Sequence, residues 1–364
     1  MPGAPMQGSP DDPSTLSRRK VDHLELCRDE AVEARHRTTL LDQVQLLHDS
    51  LPELDVDAID LSTTLLGRRL DVPFMISGMT GGAEQAREVN RVLAAVANDR
   101  GMAFGVGSQR AMMRDPELAA TYAVRDVAPD VLLLGNIGGV QAAQSSTAQL
   151  RELVDAIGAD GLCVHLNPGQ EIVQGRGHGD RDFRGVKDAI ARLVDDLGVP
   201  VIVKETGCGL GPRTLDRLVD AGVRTVDVSG LGGTTWVGVE SLRGEGIAQT
   251  VGDILWDWGV PTAASVAWAA DRGLDVIASG GLRTGLDAAR ALALGARVAS
   301  AALPWLRAAM TGGRDAAEQV ADTFADTLRA VMLLTGSADL AALRAAPRVL
   351  GPDLTRWIAA GANR

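Results

Sequence analysis

Two segments of the chain carry residue types that could act together on a small molecule. HLNPGQE places His165, Asn167, Gln170 and Glu171 within seven residues, and VIVKET ends in Lys204 and Glu205. On an extended backbone His165 and Asn167 share a face, because side chains alternate with a period of two. Gln170 and Glu171 then fall on the loop that follows. Glu171 is a candidate Mg²⁺ ligand, since magnesium takes one or two carboxylates and fills its shell with phosphate oxygens. Lys204 could form a Schiff base, or it could neutralise an electron-rich ring. No Ser–His–acid triad and no Cys/His cluster is evident. The hard chemistry is therefore expected to belong to a bound cofactor that the protein orients.

Phosphate recognition is written elsewhere in the chain. SGGLRTG, Ser279 to Gly285, closes an apolar run and precedes a helical pattern. Glycines let the backbone approach an anion, and a helix that follows points its N–H groups at it. A second group of candidate anion-binding residues comprises Arg19, Lys20 and His23 in the spacing RKxxH, with Ser108, Gln109 and Arg110. Two such sites would suit a phosphorylated cofactor and a phosphorylated substrate.

The elements that must position these groups are short, evenly spaced apolar runs. They are FMISGM from Phe74, MAFGVG from Met102, VLLLGN from Val131, LCVHLN from Leu162, VIVKET from Val201, TVDVSG from Thr225, VIASGG from Val276 and VASAAL from Val298. Helical periodicity fills most gaps: Glu84 to Arg100, Phe183 to Leu197, Pro212 to Ala221 and Gly285 to Leu294. Strands apolar throughout and alternating with helices indicate a covered parallel sheet. Eight such units predict a closed (β/α)8 TIM barrel, whose chemistry lies at the C-terminal strand ends and whose phosphate site lies near strands seven and eight. Those ends carry Thr80, Ser108, Arg110, Asn136, His165, Asn167, Lys204, Glu205, Ser229, Gly280 and Gly281. Residues 20–70 read as a preface that covers the barrel bottom or reaches its mouth, with a helix from Val21 to Arg35. The long stretch from Trp236 to Gly273, with four tryptophans, reads either as a hydrophobic cover or as a wall of the substrate cavity. Past Leu303 the pattern is helical.

Composition sets the limits. A 364-residue chain that is 46% hydrophobic supports a large core, and a net charge of −11 argues against nonspecific nucleic-acid binding. Cys27, Cys163 and Cys208 show no close spacing, so reduced thiols and a cytoplasmic location are expected. Residues 1–18 read as a disordered tail without a signal-peptide core, and residues 19–364 as one barrel domain. No apolar run is long enough to span a membrane.

At the level of motifs the chain resembles type 2 isopentenyl diphosphate isomerase, the flavin-dependent kind. The matching motifs are RKVDHL from Arg19, MTGG from Met79, GSQR from Gly107, GNIG from Gly135, HLNPGQE from His165, GDRDF from Gly179, VKETGCG from Val203, DVSGLGGT from Asp227, the glutamate Glu240, and ASGGLRTG from Ala278. Each is unspecific alone; in this order they are highly specific. The resemblance implies FMN over the barrel mouth, with Thr80, Ser108, Asn136, Lys204, Ser229 and Thr234 on the flavin or its ribityl chain. Gly280, Gly281, Arg283, Ala301 and Ala302 would hold its phosphate. Arg19, Lys20, His23, Arg110, His165 and Asn167 would bind the substrate diphosphate, Glu171 would hold Mg²⁺, and Gln170 would sit beside the reacting carbons with Glu240 near it. It also implies a homo-oligomer and NAD(P)H as the flavin reductant.

The implied chemistry suits these residue types. Moving the double bond of isopentenyl diphosphate adds a proton at the terminal alkene carbon and removes one from C2. Gln170 is no acid, so reduced flavin, with N5 and N1 as proton donor and acceptor, is the better candidate, and Lys204 would stabilise an anionic ring. The family usually reads PEGD after Gln174, whereas this chain reads GRGHGD over residues 175–180. That departure leaves open a family member acting on another prenyl diphosphate, by isomerisation or cyclisation. An FMN-dependent 2-hydroxy-acid oxidase would need a histidine–arginine pair near a late strand end, which is absent.

Overall fold

A computed structural model of the chain describes residues 13–174 and 179–362, with side chains from Lys20 to Gly361. Its centre is a closed barrel of eight parallel strands. These are β1 (Phe74–Ile76), β2 (Ala103–Gly105), β3 (Leu132–Gly138), β4 (Gly161–Leu166), β5 (Val201–Glu205), β6 (Thr225–Asp227), β7 (Asp275–Ala278) and β8 (Val298–Ala301). Each strand pairs with its successor, and β8 returns to β1 with Ala299 opposite Phe74 and Ala301 opposite Ile76. All eight predicted runs are strands of a TIM barrel, in the predicted order.

The strands are short and nearly every residue in them is buried, which is why they read as unbroken apolar runs rather than alternating ones. Helices at Glu84–Asp99, Val186–Asp196, Pro212–Asp220 and Gly285–Ala293 cover the outside, within three residues of the predicted bounds. A helix at Leu303–Leu334, bent where Gly313 takes φ +64°, closes the ring against Glu84–Asp99 and Gly285–Ala293.

The preface does both things expected of it. Its hairpin, Thr63–Leu65 with Arg68–Leu70, inserts Leu65 and Leu70 beneath the barrel. There they form one apolar cluster with Met75, Ala103, Leu132, Leu134, Cys163, Ile202, Ile277 and Val298, which fills the lower barrel. The rest of the preface reaches the mouth. Its helix departs from expectation: it runs Pro13–Asp29 rather than Val21 to Arg35. Residues 13–18, read as disordered tail, are helical there, and residues 1–12 lie outside the described residues. Proline at the helix start explains the shift, since its fixed φ suits a first turn. The chain after Asp29 is extended and pairs Glu33 with Thr234.

The tryptophan stretch divides. Trp236 lines the mouth cavity. Trp256 and Trp268 are buried cover, Trp256 under the Arg35 guanidinium and Trp268 against Trp357. Trp258 is exposed. Among the described residues no helix is long and apolar enough to cross a membrane.

The lower plug is testable. Leu65 is fully buried, so Leu65→Ala should cost about 2–5 kcal/mol, read as a lower urea midpoint. A shift corresponding to less than about 1 kcal/mol would mean that the hairpin does not seal the barrel.

Candidate active site

The C-terminal strand ends open into a cavity of about 180 Å³. Of the residues singled out above, Lys20, His23, Thr80, Ser108, Arg110, Asn136, His165, Asn167, Gln170, Glu171, Lys204, Ser229, Thr234, Gly280, Gly281, Arg283, Ala301 and Ala302 line it. Glu240 stands directly behind Gln170. The Arg19 side chain and residues 175–178 lie outside the described residues.

One wall is electrostatic. Lys204 projects into the barrel from β5, donates to the Glu205 carbonyl at 2.5 Å, and lies 3.9 Å from Asp227 Oδ2 on β6. Asp227 is fully buried and accepts from Ser279 Oγ; burial pushes its carboxyl above the usual range, against the pull of Lys204 and Ser279. Glu205, the next residue on β5, turns away from the cavity, and its Oε2 accepts from the backbone N–H groups of Thr206, Cys208 and Gly209. Alternation along β5 separates the two roles: Lys204 faces the cavity, while Glu205 ties down the turn after its own strand.

The second wall is the β4 end. His165 Nδ1 lies 2.8 Å from Asn136 Oδ1 on the neighbouring strand β3. Asn167 donates to Glu171 Oε1 at 2.7 Å, and the Asp180 N–H donates to Glu171 Oε2 at 2.8 Å. Gln170 donates to Glu240 Oε1 at 2.9 Å, and His23 Nε2, from the Pro13–Asp29 helix, meets the same oxygen at 3.1 Å. Arg243 binds the other oxygen at 2.8 Å. Glu240 is thus a carboxylate only 2% exposed and surrounded by donors, the condition under which a buried charge is tolerated.

At the phosphate corner the helix at Gly285–Ala293, expected to point its first N–H groups at an anion, starts with a capping box: Asp287 Oδ2 accepts from the N–H groups of Arg283 and Thr284, and Thr284 Oγ1 accepts from Asp287 N–H, with Gly285 and Leu286 N–H outside that box. Arg283 Nε and Nη2 hold Glu33 Oε1 at 2.9 and 2.6 Å. Beside them stands the Gly280–Gly281 turn. Both have positive φ, +95° and +84°, and a Cβ at either would strike backbone or side-chain atoms of 230, 232 or Thr39. Only glycine can bring the chain that close. Ala301 and Ala302, at the start of the Leu303–Leu334 helix, face the same corner.

Some sequence readings of single residues do not hold. Gln109, grouped with the anion binders, is fully buried, donates to the Leu153 carbonyl and accepts from Asn136 N–H, so it staples β3 instead. Gln141 was not foreseen; it lines the cavity and donates to Asp180 Oδ2 at 2.7 Å, beside Arg110 at 3.3 Å from the same oxygen. Nothing in the local sequence around Gln141 marks it out. Ser229 carries backbone strain, with φ +36°, held by Gly207 and Gly209 N–H groups on its carbonyl. Cys27, Cys163 and Cys208 are free thiols; burial pushes Cys27 and Cys163 up to about 12.

With this geometry in hand, known proteins sort clearly. Proteins described as isopentenyl-diphosphate delta-isomerase are 46% identical in Synechococcus sp. over 93% of this chain and 97% of that one, and 42% identical in Methanosarcina barkeri over 93% of each. One from Pyrococcus abyssi is 42% identical over 93% of this chain and 94% of its own. The chain belongs to the type 2 isopentenyl-diphosphate delta-isomerase family. The wider family model described as FMN-dependent dehydrogenase matches residues 13–115 and 176–349. Among solved structures, mandelate oxidase with (S)-2-phenylpropionate superposes with a TM-score of 0.60 over 93% of this chain and 98% of that one. At 18% identity that likeness is one of fold alone.

A cofactor of the FMN type is tested by two features of the cavity. Thr80 Oγ1 is buried with no hydrogen-bond partner among the described residues, and the Gly280–Gly281 turn excludes any side chain. Both fit a polar, phosphate-bearing ring ligand. For a metal, no group of three or more His, Cys, Asp or Glu is assembled among the described residues. A lone carboxylate such as Glu171 would hold Mg²⁺ only with phosphate oxygens of a ligand filling the rest of the shell.

The buried Glu205 makes stability depend on pH. Burial pushes its carboxyl from an ordinary 4.5 up to about 7, despite the N–H groups on Oε2. A folded value above the unfolded one means that its contribution is complete below about 4.5 and is lost as pH rises through about 7. Glu205→Gln should therefore gain stability relative to the parent protein between pH 5 and 8 in chemical denaturation. A difference flat with pH would show that Glu205 is ionised in the fold throughout.

Proposed function

We propose that the protein converts isopentenyl diphosphate to dimethylallyl diphosphate without net oxidation or reduction, using FMN and Mg²⁺. The observation that carries this reading is Gln170, backed by Glu240, in one cavity with Glu171, Lys204 and the glycine turn. Identity above 40% to the isomerases named above supports it. Bound and reduced, FMN would supply the proton donor and acceptor that the uncharged Gln170 does not provide.

The chain's own residues have separable tasks. Thr80, Ser108, Asn136, Ser229 and Thr234 would hold the flavin and its ribityl chain, and Gly280, Gly281, Arg283, Ala301 and Ala302 its phosphate. Arg283 would then share its guanidinium between the phosphate and Glu33, which holds it in place at the mouth. Lys204, beside Asp227 and bonded to the Glu205 carbonyl, would place positive charge against the cofactor, a fixed charge that needs no reorganisation during reaction. Lys20, His23, Arg110, His165 and Asn167, with Arg19, would bind the diphosphate, and Glu171 would hold its Mg²⁺. Gln170, held by Glu240, would face the five-carbon skeleton, where an amide dipole tolerates positive charge at the tertiary carbon without donating a proton to it. NAD(P)H would reduce the flavin before turnover, and the protein would act in the cytoplasm as a homo-oligomer.

The purified protein should be yellow and release FMN rather than FAD on denaturation. Dimethylallyl diphosphate should form from isopentenyl diphosphate only with reduced flavin and a divalent metal, without NAD(P)H consumption in proportion to product. Colourless protein that does not take up FMN would overturn the reading. Conversion of a longer prenyl diphosphate in place of the C5 substrate would transfer it to a diverged member, and the GRGH insertion at 175–178 would be the first segment to exchange for PE.

Roles within the cavity separate by kinetics. Glu171→Gln should raise the Mg²⁺ requirement and the KM. Gln170→Ala should lower kcat by about tenfold or more, about 1.4 kcal/mol in the barrier, with a smaller change in KM. The reverse pattern would mean that these two assignments are exchanged.

A further inference from the structure

Behind Glu240 lies an arginine that neither the motifs nor the functional reading uses. Arg243 stands one helical turn after Glu240 on the Trp236–Arg243 helix, the spacing that puts two side chains on one face. Its Nη1 donates to Glu240 Oε2 at 2.8 Å. Its Nε and Nη2 both reach Asp22 Oδ2, each at 3.3 Å, on the Pro13–Asp29 helix. Asp22 lies between Lys20 and His23, which line the cavity. One planar guanidinium thus bonds, through separate N–H groups, the carboxylate behind Gln170 and the helix that carries two of the proposed diphosphate ligands.

The two Glu240 oxygens are divided by this arrangement. Oε1 accepts from Gln170 at 2.9 Å, from His23 at 3.1 Å and from Gln174 at 3.4 Å, and Oε2 faces Arg243. A carboxylate can rotate about its last bond, and a guanidinium gripping one oxygen stops it. Resting on the isomerase reading above, we infer that Arg243 is a positioning residue for the reaction. Through Oε2 it fixes Glu240 so that Oε1 orients the Gln170 amide, and through Asp22 it ties the N-terminal helix over the mouth. Gln170 and the diphosphate ligands are thereby placed together. Lysine could keep the charge beside Glu240, but it lacks the fork that reaches Asp22 as well.

Three variants separate the two tasks, with two readouts: steady-state kinetics of the FMN-loaded protein, and backbone hydrogen exchange across residues 20–29 without substrate. Arg243→Met should lower kcat by about tenfold or more and speed exchange in that helix, while FMN is retained. Asp22→Asn should speed exchange equally but leave kcat within about threefold, with a higher KM. Arg243→Lys should recover most of kcat and leave exchange fast. Equal loss of kcat in Asp22→Asn and Arg243→Met would overturn the Glu240 half, because the helix tether alone would account for both. Unchanged exchange in Arg243→Met would overturn the tether. A parent protein that binds FMN yet does not isomerise isopentenyl diphosphate would overturn the functional reading instead, and the exchange arm would still decide the tether.

Discussion

A parallel sheet of eight strands loses its exposed edges only when the last strand returns to the first, and here Ala299 meets Phe74 and Ala301 meets Ile76 to do so. Because all eight run the same way, every carboxyl end arrives at one rim. Strand pairing then sets which side chains become neighbours there. Gly138 sits opposite His165, His165 opposite Lys204, and Lys204 opposite Asp227. Residues 23 to 39 positions apart in the chain are thus brought into adjacent strands by the hydrogen-bond ladder, and the cavity inherits its layout from that ladder.

The rim is also where the molecule keeps its buried charges. Glu171, Glu240 and Asp227 are each at most 4% exposed, and a carboxylate withdrawn from water is tolerated only when donors replace the water. Glu171 has Asn167 and a backbone N–H, Glu240 has an arginine with His23 and two glutamines, and Asp227 has Ser279 on Oδ1, while its Oδ2 is buried without a hydrogen-bond partner among the described residues, 3.9 Å from Lys204. These donors come from different elements, among them the N-terminal helix and the loops after β4 and β7. These carboxyl groups therefore tie those loops together, and of the three only Glu171 also lines the cavity.

The fold was legible because burial on both faces leaves a plain signature. VLLL of VLLLGN or VIV of VIVKET has no polar side to hide, and the glycines or polar residues that follow mark the rim. The preface was harder. Its helix is rich in charge, with Arg18, Arg19 and Lys20 in succession, so Leu16 alone is apolar before Val21, and its hairpin residues Leu65 and Leu70 belong to a core they meet only in three dimensions. At the site, the ordered motifs led to the cavity residues, but pairings across long sequence separations were invisible. Arg283 with Glu33, Gln141 with Asp180 and Arg243 with Asp22 join residues from 39 to 250 positions apart. Gln109 misled because its polarity serves backbone groups inside the wall.

The hairpin under the barrel has a consequence for traffic. With Leu65 and Leu70 stoppering the lower end, the cavity is a cul-de-sac. Whatever occupies its depth must arrive before whatever occupies its entrance, and must leave after it. Among the described residues, the mouth is framed on one side by the helix bearing Lys20 and His23. Congestion at that threshold, rather than events deeper inside, then becomes a natural place for the pace of the whole cycle to be set.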